Sequence, residues 1–174
     1  GWNHLYLFSG LGFLTGQITS GEWVVRDVIK VFDSTRQIIF AASGRNLGED
    51  PYNVHYYRVN FDGSDLRELT PIQANHQASF SSDYRFMTDI YSRVDLPPAL
   101  VLRDVVSNKI LMIVEQSGLS DLQALGWKKP EVFSAKGRDG TTDIWGMIYR
   151  PTSFDSTKKY PIIEYIYAGP HSSH

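Results

Sequence analysis

The strongest constraint on this fold is a recurrence. "FDSTRQIIFAAS", starting at Phe32, and "FSSDYRFMTDIYS", starting at Phe80, line up at an offset of 48 residues (32 to 80). Each places a polar turn between two runs rich in Ile, Phe, Met and Tyr, the pattern of two strands joined tightly. A hairpin unit recurs around them, as "HLYLF…GQIT", "HYYRVNFDGSDLRELT" and "LVLRDVVSNKILMIVE". Asp62-Gly63 and Ser107-Asn108 sit at its turns and supply positive φ cheaply. Helical periodicity is missing between Gly1 and Gln116. Read in order, the chain gives half a four-stranded unit over about 4–20, a full one over about 22–70 and another over about 75–115. The prediction is a mainly β protein built from about two and a half β-propeller blades, although short strands with regular turns also fit a plain antiparallel sandwich. Two and a half blades cannot close a ring, so strand edges and apolar sheet faces are expected to lie open.

Past the repeats the pattern changes. "SGLSDLQALGW" carries Ser120-Asp121-Leu122-Gln123, an S-x-x-Q capping box, with Leu122 and Leu125 on one side and Gly126 as a stop, so one short helix is expected. "KPEVFSAKGRDGTTDIWGMIYRP" predicts strands over about 131–137 and 143–150 joined through Asp139-Gly140. A polar loop, Pro151 to Lys159, leads into Pro161–Tyr167, which reads as a buried strand entering the turn Ala168-Gly169-Pro170. The expected organisation is blades over 1–116, a linker with a short helix over 117–130, and a separate region over 131–174.

Composition narrows the function classes. Lysine and arginine number 17 against 19 acidic residues, a net charge of −2, so no electrostatic footprint for nucleic acid or an anionic membrane appears. Cysteine is absent, which removes disulfides, thiol catalysis and thiolate metal sites. The weakly polar stretch Leu5–Leu14 is interrupted by Ser9, Gly10 and Gly12 and falls far short of the roughly 18 residues a spanning helix needs. No signal peptide is visible, and because Gly1 opens directly onto strand-like sequence the chain is expected to be a piece of a longer protein.

"EVFSAKGRDGTTDIWGMIYRPTSFDSTKKYPIIEYIYAGP", Glu131 to Pro170, resembles the entry into the hydrolase domain of the prolyl oligopeptidase family of serine peptidases. A strand pair ending in Pro, an F-D-x-x-K-K-Y-P loop and an apolar strand reaching Y-A-G-P carry that resemblance. "GWNHLYLF", "QITSGEWVV" and "SGRN…HYYRVNFDG" look like the last propeller blades of its dipeptidyl-peptidase IV branch. The resemblance implies an eight-bladed propeller capping an α/β-hydrolase domain, of which residues 131–174 would be the first strands. It implies a Ser-Asp-His triad that releases dipeptides from peptides with a free N-terminus after Pro or Ala, without a cofactor. A homo-oligomer formed through propeller or hydrolase edges, and export to the periplasm, are implied in the same way. One functional residue carries over by position: Tyr167, matching the tyrosine that helps form the oxyanion hole. Its phenol at a strand end could donate to a tetrahedral oxyanion beside a backbone N–H; the alternative is an aromatic whose ring packs and whose hydroxyl meets water.

The nucleophile is missing from this sequence. No G-x-S-x-G elbow exists; Gly118-Leu119-Ser120-Asp121-Leu122 fails at its last position. The chain alone is therefore expected to be inactive, and a non-catalytic propeller scaffold or an oligopeptidase of the same family stays open. His171-Ser172-Ser173-His174 places two imidazoles beside hydroxyls, but no third ligand or orienting acid has a recognisable spacing. His4, His55 and His76 recur near strand ends and read as hydrogen-bonded structural residues. Ala42–Asn53 holds adjacent Glu49 and Asp50 without calcium-loop spacing and reads as a solvated loop, so no metal site is expected. Trp2, Trp23, Trp127 and Trp145 are dispersed and read as packing residues. "FSGLGFLTG" puts Leu11, Phe13 and Leu14 where a hairpin tip would be polar, which marks a contact surface or a loop folded on its own blade.

Overall fold

The structure, a computed structural model, describes residues 1–166. It divides into two units, Gly1–Arg93 with Pro98–Ser117, and Val94–Pro97 with the residues from Gly118 onward.

The first unit follows the repeat. Strands β1 (Tyr6–Phe8) and β2 (Leu14–Gln17) form an antiparallel pair. Strands β3 (Val24–Phe32), β4 (Gln37–Ser43), β5 (Val54–Asn60) and β6 (Arg67–Glu68) form a four-stranded sheet in sequence order. Strands β7 (Asn75–Phe80), β8 (Phe86–Arg93), β9 (Leu96–Asp104) and β10 (Ile110–Gln116) form a second such sheet. The two aligned turns share their backbone: Arg36 (φ 54°) and Tyr84 (φ 56°), again 48 residues apart, both sit in the left-handed region. Side-chain carboxylates brace the turns, Asp62 accepting from Ser64 N at 3.0 Å, Asp83 from Arg85 N at 3.1 Å and Asp104 from Ser107 N at 2.7 Å.

Why "QIIFAAS" is apolar at nearly every position becomes clear from its neighbours. Alternate side chains of β4 point to opposite faces. Ile38, Phe40 and Ala42 join Ile18, Trp23, Val25, Tyr57 and Val59 in one core. Ile39 and Ala41 join Tyr56, Leu69, Met87 and Val105 in another. The middle sheet is thus covered on both faces and reads as a continuous hydrophobic run. By contrast β10 is exposed along its whole length, Leu111, Met112 and Ile113 included, as expected for blades in an open stack. Leu11 and Phe13 are also exposed, at 84% and 69%, so the β1–β2 tip does not fold back on its sheet.

The β5–β6 turn couples neighbouring sheets. Gly63 has φ 82°, and a Cβ there would stand 2.7 Å from the carbonyl oxygen of Ile18. Gly63→Ala is expected to destabilise the unit by about 1–3 kcal/mol through strain and this clash, read as a lower urea midpoint.

In the second unit a short helix α1 (Ser120–Ala124) is followed by the hairpin β11 (Glu131–Lys136) and β12 (Asp143–Ile148), with Glu131 opposite Ile148. Gly126, at φ 85°, ends the helix as expected. The capping box does not form: Leu119 takes the N-cap position and Ser120 is already helical, so its hydroxyl lies at 3.4 Å from Asp121 Oδ1 and no side chain caps the helix. Leu122 and Leu125 are exposed rather than packed. The predicted buried strand over 161–167 is likewise corrected, for residues 161–166 are not strand, and Ile162 and Ile163 are 93% and 95% exposed. A strand needs neighbours for its backbone groups; β11 and β12 pair only with each other among the described residues.

Candidate functional site

Tyr167, the residue singled out for catalysis, lies outside the described residues, as do Ala168, Gly169, Pro170 and the His171–His174 group. The loop leading to them is ordered by its own contacts. Asp155 N donates to the Tyr160 hydroxyl at 3.0 Å, and the rings of Phe154 and Tyr160 lie 5.2 Å apart. Arg150 Nη2 donates to Glu131 Oε2 at 2.9 Å, and its guanidinium sits 4.5 Å over the Phe154 ring. An open groove of about 460 Å³ runs beside this pair, lined by Lys128, Lys129, Glu131 and Arg150.

The chemistry-bearing side chains that the fold does bring together lie in the first unit. His55, the second residue of β5, is 3% exposed. Its Nε2 stands 2.9 Å from Glu49 Oε1, and its Nδ1 stands 2.7 Å from Thr70 O and 3.1 Å from Glu68 Oε1. Both ring nitrogens face acceptors, so both donate. Glu49 also accepts from Asn53 Nδ2 at 2.9 Å, and Glu68 from Asn46 Nδ2 at 2.8 Å. Glu49 is therefore buried, which corrects the solvated-loop reading of Ala42–Asn53: the loop turns its carboxylate inward because His55 offers a partner.

Burial alone would push the His55 imidazole toward the neutral form, but the hydrogen bonds to Glu49 and Glu68 outweigh it and lift its pKa from 6.5 to about 10. For both glutamates burial is the largest influence and acts upward, but the hydrogen bonds from His55 and from Asn46 or Asn53, together with the His55 charge, outweigh it, so each carboxyl is held below its ordinary value. Burial, reinforced by the Glu68 charge, pushes the Tyr57 phenol up. His55, with its folded pKa raised, gives stability that is fully present below about pH 6.5 and is lost as pH rises through about 10. The glutamates, with theirs depressed, give stability that is present above about pH 4.5 and is lost on acidification. Compared with H55Q, the protein is expected to show its largest excess urea midpoint between about pH 5 and 6.5, shrinking on both sides. A pH-independent difference would contradict this.

His76, in β7, forms a second relay. Its Nδ1 lies 2.8 Å from Asp89 Oδ1 and its Nε2 2.7 Å from Ile72 O, while Asp89 Oδ2 accepts from Arg103 Nε at 2.9 Å. The side chains of His76 and Asp89 are fully buried. Neither relay is open to a substrate, and among the described residues no group of His, Cys, Asp or Glu could hold a metal ion. The recurrence of His at strand starts signalled His55 and His76; nothing local signalled Glu68, Asp89 or Arg103, which arrive from other strands, or the inward turn of Glu49 from the β4–β5 loop. His4 bonds Thr19 Oγ1 and Gly21 O at 3.2 and 2.9 Å, another satisfied structural histidine.

Successive four-stranded antiparallel sheets, stacked face on face in chain order, define a partial β-propeller. The model of the dipeptidyl peptidase IV (DPP IV) N-terminal region matches residues 1–98, more than half the chain, and the chain belongs to that family. It is 30% identical over 177 aligned residues to the dipeptidyl-aminopeptidase B of Aspergillus niger, covering 99% of this chain and 19% of that protein. Among solved structures, a protein of Bacteroides ovatus assigned as a dipeptidyl aminopeptidase IV is 28% identical with a TM-score of 0.75, covering 99% of this chain and 26% of that one. Dipeptidyl peptidase 4 of Porphyromonas gingivalis superposes with a TM-score of 0.74 at 22% identity, covering 92% and 22% respectively. The chain spans about a fifth of the length of the curated relatives it matches.

Proposed function

We propose that this chain is the propeller-to-hydrolase segment of a serine dipeptidyl peptidase, with the final blades over 1–116, a linker over 117–130 and the opening of an α/β-hydrolase domain over 131–174. The observation that carries this is continuity: the likeness to dipeptidyl-aminopeptidase B runs over 99% of the chain, through the blades and on past them. In the intact enzyme the substrate is a peptide with a free N-terminus; its acyl group passes to a serine that lies beyond this segment as the amine product leaves, and then to water. Tyr167 supplies one oxyanion donor, worth on the order of 3 kcal/mol in the barrier. Without nucleophile and base, one donor cannot run the reaction, so the segment alone is inactive.

The test is turnover of Gly-Pro and Ala-Pro chromogenic dipeptides by the full-length protein. Release of the dipeptide supports the reading. Cleavage only of internal bonds would replace it with an oligopeptidase, and no cleavage of either kind would replace it with a scaffold.

A further inference from the structure

The two histidine relays are not separate. The rings of His55 and His76 lie 5.0 Å apart, centroid to centroid, across the boundary between the β3–β6 and β7–β10 sheets. We propose that Glu49, Glu68, His55, His76, Asp89 and Arg103 act as one charge-neutral clasp between those sheets, in which both imidazoles are cations.

Three observations carry this. Each ring has both nitrogens at hydrogen-bond distance from an acceptor, and a neutral imidazole could satisfy only one of its two contacts. Two imidazolium rings 5.0 Å apart repel, and each is offset by a carboxylate at hydrogen-bond distance, Glu49 for His55 and Asp89 for His76. Over the six groups three carboxylates balance three cations, although neither half is neutral alone: the glutamates leave the His55 half negative, and Arg103 leaves the His76 half positive. Burying a net charge is costly, so each half needs the other. The groups around the clasp are Tyr57 and Arg45, whose guanidinium lies 5.3 Å over the Tyr57 ring, and Tyr91, whose ring is 5.6 Å from His76. Neutral bonds tie the same boundary, Val54 N donating to Asn75 Oδ1 at 3.1 Å and Asn108 Nδ2 to Glu68 O at 2.9 Å.

A clasp of this kind couples residues that share no hydrogen bond. Glu49→Gln leaves the cluster one charge positive, and His76→Gln in the same molecule returns it to neutrality. In the full-length protein, urea unfolding of E49Q, H76Q and the double variant is expected to show the double variant folding at least about 10-fold more favourably than the two single losses together imply. Lys136→Gln, in the second unit, combined with E49Q serves as the additive control. Additive losses in E49Q/H76Q would overturn the proposal. If E49Q does not fold, E68Q, whose side chain is 22% exposed, takes its place in the same cycle. Nitrogen-15 spectra of the histidine rings at pH 7.5 provide the second readout. Imidazolium shifts on both nitrogens of His55 and His76 are expected, and a neutral tautomer at either ring would overturn the clasp.

Discussion

Tyr167→Phe in the full-length protein is expected to lower kcat by about 100- to 1000-fold while leaving KM within a few-fold of its starting value. The substitution removes one hydroxyl and leaves the aromatic ring. A donor aimed at the position of the oxyanion acts on the transition state far more than on the bound ground state, which is why the loss should fall on kcat. An acylating inhibitor should still label the serine, at a reduced rate. Were KM to rise with kcat unchanged, Tyr167 would be a substrate-binding residue rather than an oxyanion donor.

Phe40→Ala is expected to destabilise the first unit by about 3–5 kcal/mol, measured as a fall in the urea midpoint. Phe40 is fully buried in the middle of β4, its ring stacked 5.6 Å from Tyr57 and 6.2 Å from Trp23. Trp23 in turn meets His4 edge-on at 4.9 Å, so the cavity would loosen the approach of the β1–β2 pair as well. Phe40→Leu keeps most of the volume and should cost about 1.5 kcal/mol or less. Equal losses for Ala and Leu would show that ring stacking, not filled volume, holds this core.

The sheets were legible in the sequence because their signals are local. Alternation within "VHYYRVN" and the turn residues at Asp62-Gly63 and Ser107-Asn108 each fall within a dozen residues of what they specify, and the 48-residue recurrence repeats one such local pattern. The misreadings came where structure depends on a distant partner. Glu49 and Asp50 look alike in a polar loop, yet Glu49 is the one that meets His55, and only the pairing of β4 with β5 decides which turns inward. Ser120 matches the capping pattern, but Leu119 takes the N-cap position and Ser120 is already the first helical residue. Pro161–Ile166 has strand composition and finds no strand beside it among the described residues. The His76–Asp89 pair depends on β7 lying antiparallel to β8, a register no single strand reveals.

Because β4 gives its odd and even side chains to different cores, neighbouring positions answer to different parts of the chain. Ile38 is judged by Trp23 and Ile18, Ile39 by Leu69 and Met87. A recombination joint placed between the sheets would therefore split a core and exchange only half of its complementary surface. One placed where the two units divide, at Ser117–Gly118, transfers both cores whole. In a lineage that shuffles sheets of this kind, the inheritable piece is the interface and not the sheet.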